Sequence, residues 1–256
     1  MVDIHSHVLF GLDDGSPDRE TSLAMLEIAA ESGTTDLVAS PHADPHYRFQ
    51  FEEVERQIAE LNEATGGKPR IHFGCDFHLQ YDNIEDALAN PARYTIAHKS
   101  YLLVEFSDLV IFKTSEQILD RLLEAGMTPV ITHPERNPLL QQRPDTLASW
   151  VERGYLLQVT GQSLLGDFGS RAKEFAELLM KRDLVHFLAS DAHDCEHRPP
   201  RLDQAHELVS RRYGQARADR LCILNPAAAL QGAPLPPRPP EPEPDPSARR
   251  WYQFWR

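Results

Sequence analysis

Met1-Val2-Asp3-Ile4-His5-Ser6-His7 opens the chain, an apolar strand that runs directly into a His-x-His. Residues at i and i+2 of an extended strand share a side, so His5 and His7 can grip one metal ion together. With the strand beginning at Met1, no signal peptide is expected ahead of it. One such pair arises readily by chance, but the same event recurs along the chain. The run from Leu37 to Pro41 ends at His42, Ile71 to Cys75 at Asp76, and Tyr101 to Val104 at Glu105. Pro129 to Thr132 ends at His133, and Val185 to Ser190 ends at a second i, i+2 pair, Asp191 and His193. Leu156 to Thr160 ends without a metal-capable side chain.

Amphipathic helices separate these strands. Residues 18 to 32 carry Leu23, Leu26, Ile28 and Ala30 behind Ser16-Pro17, an N-cap and N1 pair. Residues 52 to 65 place Val54, Ile58 and Leu61 at helical spacing, and 115 to 125 do so with Ile118, Leu119, Leu122 and Leu123 before Gly126. Further helices fall near 143 to 153, 170 to 182 and 201 to 213. Seven strands alternating with helices imply a parallel α/β sheet. In a closed parallel barrel the carboxyl ends of the strands converge on one mouth, and there His5, His7, His42, Asp76, Glu105, His133, Asp191 and His193 would meet. Turn chemistry favours Asn, Gly and Ser, and does not account for six strands of seven ending in His, Asp or Glu.

Imidazoles mixed with carboxylates, with no thiolate set, suit Mn, Fe or Zn. So many ligands exceed the needs of one ion, and point to two or three sharing bridging carboxylates. Such clusters suit phosphate esters, because they polarise phosphoryl oxygens and lower the pKa of a shared water.

These residues resemble the polymerase and histidinol phosphatase (PHP) superfamily. Within it they look like the bacterial capsule and exopolysaccharide protein-tyrosine phosphatases of the CpsB/CapC type. The resemblance rests on the opening heptapeptide, Asp13-Asp14-Gly15, Val104-Glu105-Phe106-Ser107, His133-Pro134-Glu135-Arg136, and Ala189 to His193 followed by Arg198-Pro199-Pro200. It spans residues 1 to about 230. It implies a distorted (β/α)7 PHP barrel holding three metal ions, Mn first and Fe or Zn as alternatives. By the same resemblance His5, His7, Asp76 and Asp191 bind the first ion. Asp76, Glu105 and His133 bind the second, with Asp76 bridging, and Asp14, His42 and His193 bind the third. Arg136 and Arg198 stand where the family keeps the arginines that clasp the substrate phosphate, a task suited to a forked guanidinium.

The chain departs from the family pattern at Asp76, where Glu is usual, so the bridge reaches about one methylene less far. Asp13 is read as a turn residue, since Asp-Gly is a strong turn former, and His46 as lining the mouth. Cys195 to Arg201 also fits the C-x5-R string of cysteine-dependent tyrosine phosphatases. That chemistry needs a cradle of backbone N–H groups, and two prolines with no glycine in the spacer cannot supply one.

Composition bounds the remainder. About 230 residues make one domain with ample core. Cys75, Cys195 and Cys222 are odd in number and form no disulfide framework, which suits a reducing cytoplasm. No apolar run approaches the roughly 20 residues of a membrane span. A net charge of −13 argues against an enzyme that tracks nucleic acid with a basic groove. Residues 232 to 256 form a flexible Pro-rich tail, with eight prolines between Pro234 and Pro246, ending in Arg249-Arg250-Trp251-Tyr252-Gln253-Phe254-Trp255-Arg256. This end can dock a partner, touch a membrane surface, or fold onto its own barrel or a neighbouring subunit of a homo-oligomer.

The expectation is therefore a metal-dependent phosphatase barrel over 1–231, acting on phosphotyrosine in proteins. By resemblance its partner is a bacterial tyrosine autokinase of exopolysaccharide assembly. Histidinol-phosphate hydrolysis on the same barrel is the alternative, and a non-enzymatic metal-binding scaffold the more distant one.

Overall fold

The computed structural model describes residues 1–237. All strand pairing in it is parallel, and nine strand segments form two sheets. The segments are β1 (Val2–Ser6), β2 (Asp36–Ala39), β3 (His42–Ala43), β4 (Arg70–Phe73), β5 (Asp76–His78), β6 (Tyr101–Glu105), β7 (Thr128–Thr132), β8 (Leu156–Thr160) and β9 (Phe187–Ala189). One sheet runs β1-β2-β4 and the other β3-β5-β6-β7-β8-β9.

The seven strands read from the sequence become nine segments because two of them break at neighbouring points. Between β2 and β3 stands Pro41, which has no N–H for a ladder. Between β4 and β5 stands Gly74, where an added Cβ would lie 2.4 Å from Val38 Cγ1. Each break hands the chain from one sheet to the other. His42 and Asp76 therefore open short segments of their own instead of terminating β2 and β4. The last segment meets the first through Asp191 N–H to His5 O (2.9 Å) and His7 N–H to Ala192 O (2.8 Å), which closes a distorted seven-stave barrel.

A second irregularity aims the opening histidines. The β1–β2 register slips by one residue between Asp3 and Ser6, and such bulges redirect side chains. Ile4 packs with Val38, Leu103, Val130 and Phe187 in the inward cluster. His5, one residue further on, also faces inward, where it meets Gln158, the register partner of Phe187. Apolar packing thus fills the lower barrel and a polar layer forms its mouth.

The helices close the outside. They are α1 (Arg19–Glu31), α2 (Phe51–Thr65), α3 (Tyr81–Ala89), α4 (Ser115–Glu124), α5 (Pro144–Glu152), α6 (Gly161–Leu165), α7 (Gly169–Lys181), α8 (Asp203–Tyr213), α9 (Gln215–Asp219) and α10 (Asn225–Gln231). Met25, Leu26 and Ala29 of α1 and Val54 and Leu61 of α2 bury against Leu37, Ile71 and Phe73. The cap of α1 is Asp18, whose Oδ1 accepts Thr21 N–H at 2.8 Å. Ser16, expected in that role, is buried and donates to Asp18 O instead. The Pro-rich tail and its aromatic end lie outside the described residues from position 238 onward.

Candidate metal centre

All nine side chains expected at the mouth are there. His5 and His7 come from β1 and the residue after it, Asp14 from the following loop, His42 from β3, Asp76 from β5, and Glu105 from the end of β6. His133 follows β7, and Asp191 and His193 follow β9. His133 and Asp191 both adopt the left-handed backbone (φ 30° and 51°), which turns their side chains back over the barrel.

His5 Nε2 lies 3.3 Å from His7 Nε2, 3.6 Å from Asp76 Oδ2 and 3.4 Å from Asp191 Oδ1. His7 Nε2 is also 3.4 Å from Asp191 Oδ1, so the first expected set is assembled. In the third set Asp14 Oδ1 sits 3.3 Å from His42 Nε2 and 3.4 Å from His193 Nε2. The second set is more open, with His133 Nε2 at 3.5 Å from Glu105 Oε1. His42 Nδ1 links the sets, at 3.2 Å from Asp76 Oδ2 and 3.4 Å from Glu105 Oε2. One further imidazole, absent from the sequence reading, joins here: His78 Nε2 lies 2.6 Å from Glu105 Oε2. Its signal was present, since Asp76-Phe77-His78 is another i, i+2 pair.

A second layer orients these ligands. His5 Nδ1 pairs with Gln158 Oε1 at 3.0 Å and His7 Nδ1 with Asp13 Oδ2 at 2.7 Å, leaving each Nε2 toward the centre. Asp13 is therefore more than the turn residue expected. Its Oδ1 accepts Gly15 N–H (3.0 Å) and its Oδ2 the backbone N–H of His42 (3.1 Å), tying two ligand-bearing segments together. Gly15 permits this loop, because a Cβ there would lie 2.2 Å from His7 O. β8 ends without a ligand but supplies Gln158, a buried polar residue inside an apolar run.

The electrostatics are those of a cation site. Asp76 is wholly buried, yet neither of its carboxylate oxygens has a hydrogen bond. Burial would raise its pKa, but His5 and His42 hold it well below the usual carboxylate range. Asp191 is depressed in the same way by Arg136 and His5 against the cost of burial. Burial opposes the imidazolium of His7, but Asp13 outweighs it and lifts the pKa to about 9; Asp14 and Asp76 push His42 up to about 12. His193 is lowered to about 4 by burial and His7, and His133 is held well down by burial and Arg136. A buried carboxylate left unbonded among imidazoles is costly unless a cation neutralises it, and this nitrogen and oxygen donor set fits divalent ions.

Above this cluster two guanidiniums converge. Arg136 Nη2 lies 2.5 Å and Arg198 Nη2 2.6 Å from the same oxygen, Asp191 Oδ2. Both also lie over the ring of Phe168, with Cζ to centroid distances of 4.7 and 5.8 Å. The loop carrying Arg136 is anchored by Glu135, a buried carboxylate that accepts Thr160 N–H (3.0 Å) and Ser163 O–H (2.7 Å).

The rival cysteine chemistry has no cradle. Asp194 Oδ1 already accepts the backbone N–H groups of Glu196, His197 and Arg198 at 2.7, 2.6 and 3.1 Å. Burial raises the Cys195 thiol pKa, the reverse of what a nucleophile requires. His46 lines the mouth cleft together with His78 and Glu105, as expected.

Residues 1–231 match the family model described as capsular polysaccharide synthesis, CpsB/CapC. The chain is 34% identical over 209 residues to a putative tyrosine-protein phosphatase CapC of Staphylococcus aureus, covering 80% of this chain and 81% of that one. It is 30% identical over 238 residues to tyrosine-protein phosphatase CpsB of Streptococcus pneumoniae, covering 88% and 96%. Its fold superposes with TM-score 0.86 on a crystal structure from work on YwqE of Bacillus subtilis and CpsB of Streptococcus pneumoniae, described as metal-dependent tyrosine phosphatases. The identity there is 30%, over 94% of this chain and 99% of that one. This chain belongs to the CpsB/CapC family.

Proposed function

We propose that this chain is a metal-dependent phosphomonoesterase acting on phosphotyrosine in proteins, with residues 1–231 as its catalytic unit. The observation that carries the reading is the divided carboxylate of Asp191. Its Oδ1 faces His5 and His7, and its Oδ2 faces Arg136 and Arg198. One side chain thereby joins a cation site to an oxyanion clamp, the pairing that metal-assisted hydrolysis of a phosphate monoester uses.

Three divalent ions, Mn foremost, are the proposed complement, held by the nine residues His5, His7, Asp14, His42, Asp76, Glu105, His133, Asp191 and His193. Bound there, they would polarise the phosphoryl oxygens and lower the pKa of a water at the centre. The protein's own part is orientation. Arg136 and Arg198 offer N–H groups to the non-bridging phosphate oxygens, and Phe168 keeps both planes in place. Asp13 and Gln158 hold the imidazoles of His7 and His5 with Nε2 inward. His133 and His193 stay neutral at physiological pH, so their lone pairs are available without proton loss.

The partner proposed is a tyrosine kinase of capsule or exopolysaccharide assembly, met in the cytoplasm. Among the described residues no helix is long and apolar enough to cross a membrane. The test is elemental analysis of the purified protein, paired with turnover of a phosphotyrosyl peptide before and after chelation. The reading predicts bound transition metal, and activity that chelation removes and Mn restores. Activity indifferent to chelation, or a metal-loaded protein inert toward every phosphoester, would overturn it.

A further inference from the structure

A cleft of about 470 Å³ opens beside the second set of metal-ligand candidates, with His78 and Glu105 in its lining. One wall of it is unusual for a soluble protein. Leu109, Val110 and Phe112 line it while 90%, 45% and 63% exposed. They are three of the five large hydrophobics exposed among the described residues, and a fourth, Tyr81, directly follows Gln80 of the same lining. Isolated exposed apolar side chains need no explanation, but their concentration on one wall marks a contact surface.

The wall is also fixed to the chemistry. Asn137 Nδ2 donates to Phe106 O (3.0 Å) and Ser107 O (3.2 Å), so the base of the segment is held by the loop that carries Arg136. Besides Glu105, two carboxylates, Asp44 and Asp108, line the same cleft. We infer that this wall binds the polypeptide on either side of the phosphotyrosine, and selects apolar neighbours over acidic ones. The inference rests on the phosphotyrosine reading given above. It commits to the substrate chain because the cleft is continuous with the centre. A phosphate anchored by Arg136 and Arg198 leaves the flanking residues to run along whichever wall adjoins Glu105. Burying Leu109 and Phe112 stabilises that complex, and the two carboxylates repel acidic flanks.

The test uses the metal-loaded full chain and two fluorescein-labelled twelve-residue peptides. Both carry phosphonodifluoromethyl-phenylalanine, a phosphotyrosine mimic that is not hydrolysed, with Leu at −2 and +2 in one and Glu in the other. Fluorescence anisotropy should give a dissociation constant about tenfold lower for the Leu peptide, the scale set by burying one aliphatic side chain. The triple variant Leu109→Ser, Val110→Ser, Phe112→Ser should abolish the difference, with p-nitrophenyl phosphate turnover within twofold of the parent. The inference falls if the variant keeps the preference. It falls equally if light scattering shows a dimer that the variant dissolves without a change in peptide affinity, or if removing residues 238–256 tightens peptide binding. A protein that prefers the Leu peptide but hydrolyses no phosphoester would sink the phosphatase reading alone. One that hydrolyses p-nitrophenyl phosphate without discriminating between the peptides would sink this inference alone.

Discussion

Phe168 lies under Arg136 with the guanidinium carbon 4.7 Å from the ring centroid, and the same ring meets Arg198 at 5.8 Å. It sits in a tight turn between Gly166 and Gly169, both in the left-handed region, so the ring is presented by a short, constrained loop. A guanidinium over an aromatic face gains about 0.5–1 kcal/mol at a partly exposed site, and here one ring serves two. Without it each arginine keeps its contact to Asp191 but loses the surface that sets its plane.

Replacing Phe168 with Leu should therefore raise KM for a phosphotyrosyl peptide, and the inhibition constant for inorganic phosphate, by roughly three- to tenfold. The effect on kcat should be smaller and metal content unchanged. Phe168→Trp should restore the parent values, because Trp offers the better face. Equal losses in the Leu and Trp variants would assign Phe168 a packing role only.

Asp13 predicts a different pattern. It holds the His7 ring and the His42 backbone but is outside the set that faces the centre. Partners of this kind typically contribute ten- to hundredfold to metal affinity. Asp13→Asn should weaken divalent-ion binding by that order in calorimetry while leaving far-UV circular dichroism unchanged, and excess Mn should recover most of the activity. Full affinity in the variant would show that the Asp13–His7 contact does no orienting.

Cys195 should prove dispensable. Its thiol donates a long hydrogen bond to Thr21 O, at 4.0 Å, the residue packs against an apolar cluster, and the amides that a phosphate cradle would need already serve Asp194. Cys195→Ser should keep kcat within about twofold. An inactive variant with its metal content intact would instead make the thiol the nucleophile.

Eight of the nine mouth residues were legible because a parallel barrel delivers its strand ends to one place, so a one-dimensional pattern of apolar run then ligand suffices; Asp14, in the loop after β1, came only from the family resemblance. What the pattern could not carry was contact between loops. Gln158 finds His5 across 153 positions, Phe168 finds two arginines from separate loops, and Asp13 looks like any Asp before Gly. The breaks at Pro41 and Gly74 were written in residue types that interrupt ladders, but the apolar runs across them read as continuous strands. The bulge between Asp3 and Ser6 left no sign at all, since His5 and His7 share a side whether or not the register slips. α6, α9 and α10 were missed because such short helices carry too few turns for their periodicity to show, and α3 because it buries only Ile84 and Ala87, too few apolar positions to mark a face.

The protonation of the ligands separates the metal-free protein from the loaded one. In the metal-free fold the pKa of His7 stands at about 9, above the ordinary 6.5, because Asp13 outweighs the cost of burial. A raised pKa means the folded state binds the proton more tightly than the unfolded state. The stabilisation is complete below pH 6.5 and is lost as pH rises through about 9. The melting temperature of chelator-treated protein should accordingly fall between pH 6.5 and 9. The metal-loaded protein should show no such fall, since His7 must give up that proton to ligate. Metal affinity should move the opposite way, rising with pH over the same window by up to tenfold per unit for each proton displaced. Parallel melting curves for the two forms across this window would mean that His7 does not exchange its proton for a metal ion.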